Sequence, residues 1–229
     1  MLSIHATRGF PMSHTLFFYQ DQLLQGAKSA PLPPTHRMIL VRHGRVRVNE
    51  RLLAEGDAVY AADATVMAGD GEWSIVWRWE MEQTGSPPDL LSGEEIYSIL
   101  RMSREITSLN MPPGSQWLFR LDRIKMAGGR VTDPHVHPGP GIRCLLEGTF
   151  SADQKSEAVP QRLPGDPWWE VGPDEVVARA APTMRTRFMR GMILPAQFAG
   201  GTETATWLDT KKPPPAGNWT LFVDHVITV

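Results

Sequence analysis

The sequence has little of several features that would each point to a particular class of protein. Its single cysteine, Cys144, excludes a disulfide framework within the chain and an all-cysteine zinc site. Lysine and arginine total 23 against 25 aspartates and glutamates, which gives a net charge of −2. Because no basic excess is available to neutralise phosphates, we do not expect nucleic acid as a partner.

Long apolar runs are also missing. No stretch approaches the roughly 20 apolar residues of a membrane span, so we expect no membrane partner. Residues 1–8 lack the apolar core of a signal peptide. These two absences predict a cytoplasmic protein.

Glycine and proline are plentiful, with 20 of each spread along the 229 residues. Between them lie short segments rich in β-branched and aromatic residues, several of them alternating between apolar and polar, as half-buried strands do. The segments that we predict to be strands include residues 37–42, 45–49, 73–79, 117–124, 142–150, 186–194 and 219–229. Many short strands joined by tight turns predict an all-β sandwich, jelly roll or small barrel.

One short helix is expected between two β-rich halves. Ser92 has a side chain suited to an N-cap, acidic residues follow it in the first turn, and the predicted helix runs through Leu100. The expected units are a first half at residues 1–85, a linker with the helix at 86–114, a second half at 115–200, and a terminal loop and strand at 201–229.

The two halves resemble each other, which suggests an internal duplication. Residues 40–44 match residues 145–148, since both end an apolar strand on a glycine. Residues 55–60 match residues 164–169, since both place a Gly-Asp turn before a short strand.

The segment with the strongest chemical signal contains His135 and His137. The two histidines lie two positions apart in a predicted strand, so both imidazoles point to the same side. Neutral imidazole is a leading ligand of transition metals. The pair therefore forms half of a candidate metal site.

Around these histidines the sequence resembles the cupin superfamily. The first cupin motif is a glycine, five residues, His-x-His, three or four residues, a glutamate, six residues and a glycine. Here Gly129 precedes His135 by six positions, and Gly148 follows His137 by eleven. The resemblance implies a bicupin, two tandem jelly-roll barrels with one divalent metal in the second.

Two departures from the family pattern affect the expected ligand set. The position of the metal-binding glutamate holds Gly141. The second cupin motif is only partly matched, and its histidine position holds Glu175. Glu170 resembles a glutamate that some relatives carry just before the Pro-Gly turn of this motif. In the first half, the four ligand positions hold Pro31, Pro33, Arg37 and Met67, so that barrel is expected to be degenerate.

The expected third metal ligand is therefore Glu170 or Glu175. Glu175 occupies the histidine position by count, whereas Glu170 lies in an apolar run where an unpartnered carboxylate would be costly. Glu170 is slightly favoured, because a solvated residue after a turn is an ordinary role for Glu175. Two histidines and one carboxylate would suit Fe(II) and O₂ chemistry, and Mn, Ni or Zn are the other candidate metals.

Arg143 is the candidate substrate-binding residue. If strand alternation holds, it points into the same barrel as the ligands and would clamp a substrate carboxylate. An arginine on the outer face is an equal alternative.

Several other residues have a functional and a structural interpretation. Trp117, Trp168 and Trp169 would line an apolar pocket, although core packing is favoured for at least two of them. A packed, inert thiol is favoured for Cys144. His225 is the only candidate base for a metal-free sugar epimerase of the cupin type, and His36 and His43 are expected to be structural.

Two functions follow from the resemblance. The first is a metal-dependent enzyme, dioxygenase-like or an isomerase or lyase, that acts on a small organic substrate such as a carboxylate or an aromatic compound. The second is a bicupin that binds a small ligand or a structural metal without turnover. Pairing into a homodimer through exposed edge strands is also expected.

Overall fold

The computed structural model describes residues 13–209 and 219–229. The segment examined for a signal peptide, residues 1–8, lies outside the described residues. Among those described, no helix is long and apolar enough to cross a membrane.

Among the described residues, eight strands lie in the first half of the chain and ten in the second. Those of the first half are β1 (His14–Leu24), β2 (His36–His43), β3 (Arg45–Val48), β4 (Arg51–Ala54), β5 (Ala58–Ala61), β6 (Met67–Gly69), β7 (Trp73–Gln83) and β8 (Ile96–Glu105).

The second half contains ten strands and one turn of 3₁₀ helix, η1 (Ala196–Phe198). The strands are β9 (Gln116–Met126), β10 (His135–Val136), β11 (Gly141–Glu147), β12 (Phe150–Gln154), β13 (Val159–Arg162), β14 (Pro167–Glu170), β15 (Val176–Ala180), β16 (Thr186–Pro195), β17 (Thr206–Trp207) and β18 (Trp219–Thr228). The expectation of an all-β chain is confirmed.

Each half contributes a five-stranded sheet with the same connectivity. Their strand orders are β5-β2-β7-β1-β8 and β14-β11-β16-β9-β18. A three-stranded sheet, β4-β3-β6, accompanies the first, and β13-β12-β15-β10-β17 accompanies the second. The second of these accompanying sheets is longer because β10, which carries His135, and β17 extend it.

The repeat extends to individual hydrogen bonds. Val41 exchanges backbone hydrogen bonds of 3.0 and 2.9 Å with the turn at residues 56–57. Leu145 exchanges equivalent bonds of 3.1 and 2.8 Å with the turn at residues 165–166. Both strands also carry a register shift two residues further on.

The predicted helix starting at Ser92 is wrong. Residues 96–105 form strand β8, which pairs antiparallel with β1 at the edge of the first sheet. Glu95 has φ of +56°, outside the right-handed helical region, so a helix cannot run through it. The side chains of Tyr97 and Ile99 are exposed and alternate with less exposed neighbours, the periodicity of a strand. The expected linker therefore contains the counterpart of the terminal strand β18.

The two five-stranded sheets share one hydrophobic core. It combines residues of the first half, such as Phe18 and Trp79, with residues of the second, such as Phe119 and Ile142. They approach closely at Gly191, where an added Cβ would lie 2.4 Å from the indole ring of Trp79. Only a residue without a side chain fits against this tryptophan.

The interior of the first half also holds a network of buried ion pairs. Arg78 contacts Asp21 at 2.9 Å and Glu80 at 2.5 Å, and Glu80 contacts Arg37 at 2.7 Å. All four side chains are fully buried. Arg37 also donates a hydrogen bond of 2.8 Å to the hydroxyl of Thr65.

Candidate functional site

A cavity of about 350 Å³ lies between the two sheets of the second half. Its wall is mostly apolar, with two aromatic side chains from the interior and two tryptophans from near the end of the chain. These residues are Phe150, Phe188, Trp207 and Trp219. The polar residues that reach the wall include both histidines of the His-x-His segment, Glu170 and Arg190.

His135 and His137 lie side by side at this wall. Their ring centroids are 5.0 Å apart and the rings are nearly perpendicular. Nδ1 of His135 lies 3.0 Å from the backbone oxygen of Asp133. A hydrogen bond there requires the proton on Nδ1, which leaves Nε2 with its lone pair, the form that binds a metal.

Both histidines are held in the neutral state. Burial lowers the pKa of His135 below its usual value. Burial also lowers the pKa of His137, and the positive charges of Arg190 and Arg143 lower it further. Neutral imidazoles at pH 7 are available as ligands without first losing a proton.

Glu170 is the carboxylate that the fold brings to the histidines. It ends β14 and is 3% exposed. Its Oε1 accepts a hydrogen bond of 2.9 Å from Nε1 of Trp168. Its Oε2 lies 2.9 Å from Nη2 of Arg143 and 3.6 Å from Nε2 of His137. The pairing offsets the cost of burying this charge.

Glu175 lies away from the histidines and from the cavity. Its side chain is exposed just before β15, and it does not line the cavity. Its backbone oxygen accepts a bond of 3.3 Å from the nitrogen of Lys155. Of the two candidate third ligands, the structure therefore brings only Glu170 to the histidines.

Arg143 is fully buried behind Glu170 and is not part of the cavity wall. Its Nη1 donates a bond of 2.6 Å to the backbone oxygen of Gly141. Burial lowers its pKa to about 10, although the charge of Glu170 opposes that shift. The guanidinium stays charged at neutral pH and pairs with Glu170. Arg143 thus orients a candidate metal ligand. It does not reach the cavity to bind a substrate carboxylate, as the sequence analysis expected.

The position of the cupin glutamate has no room for a side chain. A Cβ added to Gly141 would lie 2.3 Å from the backbone oxygen of Gly191 and 2.9 Å from Cα of Met192. Both obstructing atoms belong to the neighbouring strand β16. The glycine is therefore required by the close approach of two backbones.

Arg190 is a site residue that the sequence analysis missed. It is 5% exposed, and its Nε and Nη2 each donate a bond of 2.7 Å to the carboxylate of Asp122. Strand periodicity could have indicated Arg190, because Phe188 and Arg190 lie two apart on β16 and both reach the cavity. The charged residues at the rest of the wall that were also missed are Lys125, Arg130 and Glu203.

None of the three tryptophans proposed from the sequence lines the cavity. Trp168 stacks on Phe150 with 4.3 Å between ring centroids and supports Glu170 from behind. Trp117 and Trp169 pack against the core shared by the two halves. The favoured interpretation of core packing therefore describes all three.

Cys144 is fully buried in the shared core. Burial raises the pKa of its thiol well above the usual range, which removes the thiolate needed for reactivity.

Three further histidines that the structure describes, His36, His43 and His225, lie outside the cavity. His225 stacks on Tyr60 with centroids 3.7 Å apart, and His36 Nδ1 lies 2.6 Å from the Tyr60 hydroxyl. His43 contacts Glu55 at 3.1 Å near the surface. No wall residue of the cavity comes from this group, so His225 is not placed to act as a base there.

A second cluster of potential ligands lies in the first half. Glu80, Glu82 and Asp89 each place one donor atom within 4.8 Å of the others, and no other group in residues 13–209 and 219–229 is gathered so closely. Glu80 already pairs with Arg37 and Arg78. Two arginines at the cluster oppose binding of a cation.

No family model and no curated protein matches the chain. Solved structures do match its fold. AerE from Microcystis aeruginosa is similar with a TM-score of 0.54 and 14% identity, over 82% of this chain and 95% of that one. Oxalate decarboxylase from Bacillus subtilis, in a study of its Mn(II) centres, is similar with a TM-score of 0.60 and 10% identity, over 85% of this chain and 71% of that one.

A protein described as a cupin 2 conserved barrel domain protein, from Leptotrichia buccalis, is also matched. Its TM-score is 0.43 at 14% identity, over 82% of this chain and 85% of that one. At such identities a structural likeness concerns the fold and not the reaction. The likeness to AerE and to oxalate decarboxylase therefore shows the fold alone.

Proposed function

We propose that the chain is a metal-dependent enzyme that acts on a small organic substrate, with a carboxylate or an aromatic ring, in the cavity of the second half. The observation that carries the proposal is that two neutral imidazoles and one carboxylate reach the wall of the same apolar cavity, with Oε2 of Glu170 3.6 Å from Nε2 of His137. An apolar cavity with a few converging polar groups is the usual form of a small-molecule site.

The donor types suit a divalent transition metal, but the ligand atoms of His135, His137 and Glu170 do not all lie within 4.8 Å of one another, so these side chains would have to move together to hold it. Oε2 of Glu170 is buried and has no hydrogen-bond partner, because its contact with Arg143 lacks the geometry of a hydrogen bond. A buried acceptor of this kind beside two neutral histidines suits Fe, Mn, Ni or Zn. Bound there, the ion would supply a Lewis acid with open positions for substrate or O₂.

The chain's own residues would orient and enclose the reactants. The backbone oxygen of Asp133 sets the ring orientation of His135, and Trp168 and Arg143 set that of Glu170. The aromatic walls would exclude water from the reacting groups. Two histidines and one carboxylate favour dioxygenase chemistry over an isomerase or lyase reaction, which the same site would also support.

Elemental analysis of the purified protein tests the metal site. We expect about one equivalent of Fe, Mn, Ni or Zn per chain, and strong loss of metal in His135→Ala and Glu170→Gln. Glu175→Gln is the matched control, since that residue is exposed and outside the cavity, and it should keep its metal. Full metal occupancy in His135→Ala would contradict the assignment.

A ligand-binding protein without turnover is the second candidate. The ion pair of Glu170 with Arg143 favours this candidate, because the guanidinium neutralises the negative charge that would attract a metal ion. The two functions differ in oxygen consumption with aromatic and keto-acid substrates. A dioxygenase consumes oxygen with at least one of them, and an isomerase or lyase converts a substrate without oxygen, whereas a binding protein leaves every substrate unchanged.

We further propose that the chain is a bicupin, in which each half forms one barrel. The repeated strand order and the repeated hydrogen bonds at Val41 and Leu145 support this arrangement. A cytoplasmic homodimer that pairs through the edge strands β8 and β18 remains part of the proposal. Light scattering tests it, with a mass of twice 25.5 kDa expected for the dimer.

A further inference from the structure

We infer that Arg190 is the residue that binds a substrate carboxylate, and that the substrate is a monoanion with an aromatic or other apolar body. The inference rests on the proposed function, because it assigns the substrate class of the same cavity. It concerns a residue that neither the His-x-His motif nor the proposed ligand set includes.

The guanidinium of Arg190 is held in place with one nitrogen to spare. Asp122, which is fully buried, accepts bonds from Nε and Nη2. This bidentate pair fixes the plane of the group and leaves Nη1 unused by the aspartate. Since Arg190 lines the cavity, a fixed donor is presented there with its orientation already determined.

In Arg78, the equivalent arginine of the first half, all three side-chain nitrogens contact carboxylates. Alignment of Gly44 with Gly148 pairs Ile39 with Arg143, and their partners across the sheet are Arg78 and Arg190. Nε and Nη2 of Arg78 contact Asp21, and its Nη1 contacts Glu80.

Around Arg190 the second carboxylate is absent. Among residues 13–209 and 219–229, Asp122 is the only carboxylate within 4.0 Å of the Arg190 side-chain nitrogens. The β16 position that corresponds to Glu80 holds Met192. A carboxylate from the substrate would complete at Arg190 the arrangement that Glu80 completes at Arg78.

Arg143, the other buried arginine near the histidines, is not available. Its Nη1 is bonded to the backbone oxygen of Gly141 and its Nη2 contacts Glu170. It also lies behind the wall of the cavity. The role of carboxylate clamp therefore falls to Arg190.

The charges and the shape of the wall define the rest of the substrate. Three cationic side chains line the cavity against the two anionic ones, Glu170 and Glu203, so one positive charge is in excess. In the metal-free protein this balance suits a monoanion better than a neutral compound or a dianion. Phe188 lies two residues before Arg190 on the same strand face and packs against Phe150 at 5.0 Å. The apolar body would contact these rings while its carboxylate contacts Nη1.

The test compares benzoate with benzamide, which have the same shape and differ in charge. Calorimetric titration of the protein as purified, and after removal of metal by a chelator, should give at least about tenfold tighter binding of benzoate, since a charge-assisted hydrogen bond contributes about 1.5–3 kcal/mol. The preference for benzoate should persist without metal. A failure of carboxylate binding by Arg190 can therefore be distinguished from a failure of the metal assignment.

The decisive variant is the double substitution Arg190→Met with Asp122→Asn, which removes both charges and avoids a buried unpaired aspartate. It should bind benzoate and benzamide equally in the chelated state. Arg130→Gln, which removes a cation from the same wall without touching the Asp122 pair, is the control and should keep the preference. Equal binding of the two compounds by the wild type, binding of neither, or an unchanged preference in the double variant would overturn the inference.

Discussion

Nε1 of Trp79 in the first half donates a hydrogen bond of 3.1 Å to the backbone oxygen of Ile142 in the second. Ile142 belongs to β11, the strand that also carries Gly141 and Arg143. The indole ring of the same tryptophan covers Gly191 on β16, next to Arg190. The first half thus supports, from behind, the two strands on which the candidate site is built.

This contact predicts that Gly191→Ala destabilises the protein. An added Cβ would lie 2.4 Å from the Trp79 ring, so the indole must move or the sheets must separate. Overpacking of a core typically costs about 1–3 kcal/mol, which urea unfolding would measure. Gly71→Ala is the matched control, because a Cβ there meets nothing closer than 3.5 Å. Equal stability of the two variants would refute the prediction.

Arg143→Met is expected to destabilise the protein by about 3–5 kcal/mol, since it leaves Glu170 buried without its charge partner. The double variant with Glu170→Gln should be more stable than Arg143→Met alone. A double-mutant cycle from chemical unfolding measures the coupling between the two residues. Additive losses would show that the ion pair is not what holds Glu170.

Stability is expected to fall at acidic pH, in part because of His14. This side chain is buried, its Nδ1 has no partner, and its pKa is lowered by burial and by the nearby His36. The unfolded chain binds a proton at about pH 6.5, whereas the folded chain does so only at lower pH. Stability is therefore full above pH 6.5 and is lost progressively as the pH falls toward the folded-state pKa.

His14→Phe should reduce this acid sensitivity, because it removes the proton that unfolding takes up. Thermal melting of the wild type and the variant at pH 8 and at pH 5 gives the comparison. The two proteins should lose different amounts between these pH values, with the smaller loss in the variant. Parallel losses would contradict a contribution from His14.

Cys144 should not react with iodoacetamide in the folded protein at pH 8. Its thiol is fully buried and its pKa is raised by burial, so both access and thiolate are lacking. Mass spectrometry should detect labelling only after denaturant is added. Rapid labelling under native conditions would mean that the core shared by the two halves opens.

The His-x-His motif was readable from the sequence because two local properties define it, the spacing of the histidines and the flanking glycines at 129 and 148. The failure at residues 92–100 has an equally local cause. An N-cap residue followed by acids is a helix signal, but Glu95 adopts a left-handed backbone conformation and β8 completes the first sheet by pairing with β1. Tertiary pairing decided between two patterns that the sequence allowed.

The residue that binds the substrate carboxylate could not be predicted from the sequence in the same way. Arg143 and Arg190 are both buried arginines on neighbouring strands of the second half. Which of them faces the cavity depends on the partner that each finds, Glu170 for Arg143 and Asp122 for Arg190. Those partners are 27 and 68 positions away in the chain, so no local pattern contains the answer.

The ion pairs around Arg78 affect how many carboxylate ligands one chain can bind. An anion entering the first half would meet a guanidinium already contacted by Asp21 and Glu80, and it would have to displace a buried carboxylate to bind. At Arg190 the anion would meet Nη1, which Asp122 does not use. Although the chain repeats its architecture, a titration with a carboxylate ligand should therefore saturate at one equivalent per chain and follow a single hyperbola without cooperativity.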